Sequence, residues 1–313
     1  MGIRRGRLRL ALWHAAVARL GAACVLADHQ CVGLDQSDQC VTLNFQSAAT
    51  GAMRAPVTAD VAIACDGVNS VVRRQFYPGE ELRFGGINSW RGVTRGKPFL
   101  TGRSYVRVGS IQSGNLVIYP IVDDVDGRGR QLINWTAQVA QPGYERNDWN
   151  KPGRLEDFLP IFAGWTFDWL DVPDLLRRSD AIFEYPMVDR DPVDRWTFGR
   201  VTLLGDAAHP MYPRGSNGAA QAILDARTLA DCLAAEGEPP GALQAYEARR
   251  SGPTARVVRT NREHPPDYLI RRVEELVGDV PFDDLDRHIT RAELQHLSDN
   301  YKRIAGFARD DVA

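Results

Sequence analysis

Two periodicities of hydrophobic and polar positions run along the chain, and the change from one to the other divides it. Leu8, Leu12, Ala16 and Leu20 recur at helical spacing with Trp13 and Val17 alongside, so residues 1–27 read as an amphipathic helix. Residues 22–34, 41–45 and 59–65 read as strands, the first two joined by the polar turn 35–39. From about residue 76 to 185, short extended runs at 87–93, 104–108, 116–122 and 131–139 alternate with Gly, Asp and Pro turns, the pattern of an antiparallel sheet. Residues 123–130 form a charged hairpin loop, and 149–176 read as helix interrupted by Pro160 and Pro173. The run 201–204 has the length of a buried strand, ended by Gly205 and Asp206. Pro210, Pro213, Gly215 and Gly218 then forbid regular structure. Residues 219–235 turn helical, with Ala222, Leu224, Leu229 and Leu233 apolar and Asp225 and Arg227 polar. Pro239 and Pro240 break the chain before a long basic helix at 241–262, which His264-Pro265-Pro266 ends. Helices at 268–277 and 291–304, separated by the acidic turn 283–286, complete the tail.

Composition narrows the class without choosing a function. A chain of 313 residues, 44% hydrophobic and 25% charged, is long enough for about two globular domains. A net charge of −2 gives no argument for nucleic-acid or membrane binding, and no apolar run approaches the roughly 20 residues of a membrane span. The five cysteines (24, 31, 40, 65 and 232) lack paired metal-ligand spacing. They read as buried free thiols in a reducing, cytoplasmic compartment, and no secretory signal, repeat or low-complexity tract is visible. The sequence leaves the oligomeric state open.

Two segments carry candidate chemistry. In the first, the strand at 59–65 runs into Asp66-Gly67-Val68-Asn69-Ser70, where Gly67 permits a tight turn and Asn69 or Ser70 can cap the helix that follows. By itself this is an ordinary strand-to-helix turn. The second runs from strand through the carboxylate of Asp206 and a Gly/Pro loop to a helix start near Gly218 and Ala219. A helix start offers unpaired N–H groups and a positive dipole end, which suit an anion or an electron-rich ring. An Asp at a strand end is placed to accept hydrogen bonds from ribitol or ribose hydroxyls.

Taken whole, Gly205-Asp206-Ala207-Ala208-His209-Pro210 followed by Pro213, Gly215 and Gly218 resembles the second flavin-binding motif of the FAD-dependent aromatic-ring monooxygenases similar to p-hydroxybenzoate hydroxylase. Asp66, Gly67, Ser70 and Arg73 match that family's Asp-Gly-x-x-Ser-x-x-Arg segment, and the loop 211–218 and the tail point to its phenazine-modifying subgroup. The resemblance implies an α/β fold: a Rossmann-like FAD domain (1–75 and 186–262, lacking its first βαβ unit), an inserted antiparallel substrate domain (76–185) and C-terminal helices (263–313). It implies FAD contacts for Asp66, Gly67, Gly205, Asp206, Pro213, Gly218 and Ala219. For the basic start of the chain three readings stand: a targeting peptide, a solvated basic face, or the family's "hydrophobic-x-Arg-x-x-Leu-x-x-x-Leu" segment with Arg5 reaching FAD. The order of the other motifs favours the third. Trp90, Tyr119 and Trp135 could line an aromatic substrate pocket, although aromatics on strands mostly serve as core. Arg91, Arg103, Arg107 and Arg214 are available to a substrate carboxylate, against the commoner role of surface arginines.

The implied activity is hydroxylation of a small aromatic substrate with NADH or NADPH and O2 through a flavin C4a-hydroperoxide. No side chain is nominated as a catalytic base, and His209 reads as structural. The family's Gly-x-Gly-x-x-Gly unit would lie roughly a hundred residues before Arg5. Its absence raises the alternative of an N-terminally truncated, non-catalytic fragment or remnant, with an incomplete gene model or a fragment beginning at an internal methionine as the expected cause. A halogenase or a plain NAD dehydrogenase fits less well, since each needs a motif not found in this sequence.

Overall fold

The computed structural model describes residues 5–143, 151–235, 237–278 and 280–306. Ile3 of the basic segment and residues 149–150 of the expected central helix lie outside them. In chain order the elements are α1 (Arg5–Leu20), β1 (Gln30–Gln36), β2 (Val41–Gln46), β3 (Val57–Ala59), β4 (Ala62–Ala64), α2 (Val71–Phe76), β5 (Arg83–Gly96), β6 (Val106–Val108), β7 (Asn115–Val122) and β8 (Gln131–Ala140). There follow β9 (Thr166–Phe167), β10 (Leu170–Asp171), α3 (Val172–Arg177), β11 (Ile182–Asp189), β12 (Thr197–Phe198), β13 (Val201–Leu203), α4 (Gly218–Ala235), α5 (Pro239–Glu263), α6 (Tyr268–Val277) and α7 (Arg291–Ile304). Two compact units result: Met1–Leu26 with Phe84–Met187, and Ala27–Arg83 with Val188–Ala313.

In the first unit a five-stranded sheet has the order β11-β5-β8-β7-β6, antiparallel from β5 to β6. One face carries Trp90, Leu116, Ile118, Ile133 and Trp135, which pack on Phe158, Phe162, Leu175 and Leu176. Strand alternation puts these residues on one side, and their burial, about 1.5–3 kcal/mol for each large side chain, holds the layer together. Gly92 is required here, because a Cβ would overlap the Trp135 ring.

The second unit holds an antiparallel sheet β1-β2-β3 and a sheet β12-β13-β4 in which β13 and β4 run parallel. Leu34, Val41, Ala64, Val72, Val201, Leu203, Leu229, Leu243 and Tyr246 share one core. Helix α4 lies along α5.

The structure departs from the expected elements in several places. The expected strand 59–65 is two strands: β3 pairs with β2, then the chain changes sheets and β4 pairs with β13. The bend is fixed by Arg200, whose Nη1 donates to Asp60 O (3.0 Å) while its carbonyl accepts from Ala62 N (2.9 Å). Of the strand expected at 22–34 only Gln30 onward is extended, because the left-handed residue Asp28 (φ 57°) turns the chain first. The Asp28 carboxylate accepts from Ser47 Oγ, Ala49 N and Arg54, and these bonds hold its pKa down at about 2. Between residues 151 and 176 only α3 is α-helical; Pro160 and Gly164 leave short 3-10 turns and the β9/β10 hairpin before it. Pro239 and Pro240 open α5 instead of breaking the chain, a position where the missing N–H costs nothing. Of the five cysteines, all free, only Cys232 is buried; Cys24 and Cys65 are exposed. No described helix is long and apolar enough to cross a membrane.

Candidate functional site

The parallel pairing of β4 and β13 matches Ala64 with Leu203, so their carboxyl ends lie side by side. Asp66-Gly67 follows one strand and Gly205-Asp206 the other. Both glycines adopt left-handed backbone (φ 81° and 63°), which other residues reach only with strain. This end of adjacent parallel strands is where open α/β sheets bind ligands.

The two segments are tied together physically. Ser70 Oγ accepts from Arg73 N (2.9 Å) as the cap of α2, and Asp66 Oδ2 accepts from Val71 N (2.8 Å). Asp66 is thus engaged with its own helix. Arg73, 2% exposed, donates through Nη1 to Ala207 O (2.9 Å) and Ala208 O (2.6 Å). Its Nε and Nη2 grip both oxygens of Glu80 at 2.6 Å. One guanidinium therefore fixes the turn after β13 from the helix after β4, with the planar fork that lysine lacks.

Within 201–211 only Asp206 is exposed; its neighbours are all buried. Its carboxylate has no hydrogen-bond or ion-pair partner among the described residues, and Oδ1 would lie 3.6 Å from a Cβ at Gly218. Helix α4 begins at Gly218 with no acid in its first turn. Leading into it, Pro213–Gly215 form a 3-10 turn and Ser216 is left-handed (φ 56°).

The C-terminal helices hold this loop from behind. Asn217 Nδ2 donates to the Tyr301 hydroxyl (2.6 Å), which donates to Asn261 Oδ1 (2.6 Å). Asn261 Nδ2 donates to Tyr212 O (3.3 Å), Arg214 pairs with Asp267, and Gln221 Nε2 donates to Ala305 O (2.9 Å).

Beneath the turn lies a buried polar cluster. Asp225, 0% exposed, accepts from His209 Nε2 (2.5 Å) and Gly205 N (3.2 Å) at Oδ2, and from Arg250 Nε (2.7 Å) at Oδ1. Burial raises the Asp225 pKa, but His209 and Arg250 outweigh it, and the net shift is downward. Since Nε2 bonds to a carboxylate, the geometry assigns the His209 proton there, and the ring is held within the scaffold.

Asp66, Gly67, Gly205, Asp206, Pro213, Gly218 and Ala219 all fall in the second unit, around these strand ends. Arg5, Trp90, Tyr119 and Trp135 belong to the first. Arg5 is exposed at the start of α1. Trp90 stacks on Phe158 (4.9 Å), and Trp135 Nε1 donates to Ser179 Oγ (2.7 Å), so both serve the core layer. Tyr119 lies on the opposite face, stacked on Tyr105 (5.5 Å). Sequence reasoning missed Asp225, Arg250, Asn261 and Tyr301. Only Asp225 left a signal: with Gln221, Leu229 and Cys232 it lies on the buried stripe of α4. Among the described residues no group of three His, Cys, Asp or Glu could hold a metal ion.

A model of an FAD binding domain matches residues 171–261. The chain is 33% identical over 309 residues to a 3-amino-4-hydroxybenzoate 2-monooxygenase of Streptomyces platensis, covering 96% of this chain and 69% of the relative. It belongs to the family of FAD-dependent aromatic-ring hydroxylases. Within that family it is 43% identical over 265 residues to a phenazine 1,6-dicarboxylic acid hydroxylase of Lysobacter antibioticus, covering 83% of this chain and 65% of the relative. The chain thus spans about two thirds of the length of these relatives. A salicylate hydroxylase substrate complex shares the fold with a TM-score of 0.66 at 24% identity, covering 95% of this chain and 75% of the other.

Proposed function

We propose that this chain supplies the strand-end FAD site and the substrate-bearing sheet of an aromatic hydroxylase, which uses NADH or NADPH and O2 on a small aromatic compound. The observation that carries the reading is Asp206: an exposed carboxylate, without a partner among the described residues, in an otherwise buried turn beside a glycine-opened helix start. The residues present fit FAD. Asp206 offers acceptors to ribityl hydroxyls, the left-handed Gly205 brings backbone close, and the first turn of α4, with Gly218 and Ala219, presents free N–H groups toward an electron-rich ring. Bound FAD supplies the redox chemistry, accepting electrons from the nicotinamide and activating O2. The chain's own part is positional. Arg73 and Asp225 hold the turn, Pro213–Gly218 shape the helix entry, and Asp66 and Gly67 shape the neighbouring strand end. The free thiols fit a cytoplasmic setting.

Gel filtration after incubation with FAD tests this reading. A retained flavin band with quenched fluorescence is expected, with Asp206→Ala releasing the flavin while the melting temperature stays put. Wild-type chain emerging flavin-free, or Asp206→Ala retaining flavin as well as wild type, would overturn it.

A further inference from the structure

Asn217 stands at the N-cap position of α4, since its carbonyl accepts the first helical bond, from Gln221 N (2.9 Å). Asparagine is among the best residues for that position, because its side-chain oxygen accepts from the second or third amide of the helix. In α4 those amides belong to Ala219 and Ala220. Yet among the described residues no N–H donates to Asn217 Oδ1, and the amides of Gly218, Ala219 and Ala220 have no hydrogen-bond partner. The Asn217 side chain is buried, 3% exposed, and is engaged with the tail instead.

A chain of donors and acceptors fixes that choice. The Tyr212 carbonyl can only accept, so it holds the Nδ2 side of Asn261 and turns Oδ1 toward Tyr301. Oδ1 can only accept, so the Tyr301 hydroxyl gives it its one proton. The hydroxyl oxygen then accepts from Asn217, which commits the Nδ2 side of Asn217 to Tyr301 at 2.6 Å. Holding the tail would not by itself require the cap side chain. Arg214 with Asp267, and Gln221 Nε2 with Ala305 O, already tie α4 and its entry to the tail.

We propose that Tyr301 is a positioning residue for the flavin: its hydroxyl draws the Asn217 amide away from α4 and so keeps the first amides of that helix open to the electron-rich ring. The inference rests on the FAD reading of this site and deepens it, naming what stops the helix start from capping itself. An uncapped helix start costs the free chain stability, and the same unpaired amides are what an electron-rich group can use.

Hydrogen exchange of the full chain without FAD reads the cap directly. In wild type the Ala219 and Ala220 amides should exchange fast. Tyr301→Phe frees Asn217 to cap its own helix, so exchange at one of these amides should slow about tenfold. Adding Asn217→Ala should make it fast again. Loss of a merely structural tie would act with the opposite sign and speed exchange in Tyr301→Phe. Titration with FAD, followed by fluorescence quenching, reads the consequence. A cap of ordinary strength closes the helix start in roughly nine molecules of ten. FAD should therefore bind Tyr301→Phe about tenfold more weakly, and the double variant within about threefold of wild type. Unchanged or faster exchange in Tyr301→Phe, equal FAD affinity of Tyr301→Phe and wild type, or a double variant that binds FAD no better than Tyr301→Phe would each overturn the proposal. Slowed exchange in Tyr301→Phe, when even the wild-type chain takes up no FAD, would uphold the diverted cap and sink the flavin reading.

Discussion

Replacing Asp225 by Asn probes the scaffold under the candidate flavin turn with almost no change in shape. All three partners of this carboxylate are donors: His209 Nε2, Arg250 Nε and the Gly205 amide. An asparagine has one acceptor oxygen and one NH2 group. Whichever way it is turned, the NH2 meets a donor, either His209 with Gly205 or Arg250. The Arg250 side chain is 11% exposed, and Asp225 is its only ion-pair partner among the described residues. Breaking such a buried pair from one side costs roughly 3–5 kcal/mol. That is about two to nearly four orders of magnitude in the folding equilibrium, out of a total stability of roughly 5–15 kcal/mol. Urea unfolding, with hydrogen exchange of the α4 and α5 amides as the local probe, measures it. Asp225→Leu with Arg250→Leu removes both charges and should be milder than Asp225→Asn alone. The pH dependence has a definite sign. A carboxylate with a folded pKa below its ordinary value of 3.8 stabilises the protein above the unfolded pKa, and this contribution is lost as pH falls through the lower, folded value. Asp225→Asn should therefore flatten the acid limb below about pH 4. A loss under about 1 kcal/mol, or an unchanged acid limb, would show that the cluster is not the buried, charge-paired unit described.

Arg73→Lys should cost at least about 2 kcal/mol, since one ammonium cannot hold Glu80 and two carbonyls together; an unchanged urea midpoint would refute the link between the strand ends. Gly215→Ala places a Cβ onto the Tyr301 hydroxyl and 2.9 Å from Asn217 Nδ2 and Asn261 Oδ1. It should destabilise by about 1–3 kcal/mol, and adding Tyr301→Phe should restore part of this; a double variant no better than the single would show that the clash lies elsewhere.

What could be read from the sequence followed the range of each interaction. The turn after β4, with its glycine and the Ser70 cap, is contained within a few residues, and so are the periodicities of α6 and α7, whose bounds match the pattern. The sheet change at Asp60 was hidden because the apolar run continues through it; a partner more than a hundred residues away, Arg200, makes the bend. The same holds for the sheet faces. Alternation says that Trp90 and Arg91 point to opposite sides, but that Trp90 and Trp135 share one follows only from the register that pairs Gly92 with Trp135. It does not say which side is covered. That is decided by Phe158, Phe162 and α3, in a stretch where proline and glycine disguise the helix content. In the candidate site, Asp206 was legible because its motif is local, whereas the groups that hold its turn come from Arg73, Asp225 and Arg250. Tyr301 is 84 residues from Asn217, and it bonds Asn217 and Asn261 through one hydroxyl. A hydroxyl shared between two amides has no periodicity, so nothing in a one-dimensional pattern distinguishes Tyr301 from a surface tyrosine. The entry to α4, where a flavin ring would lie, is thus specified largely by the tail helices, which periodicity could delimit but not dock.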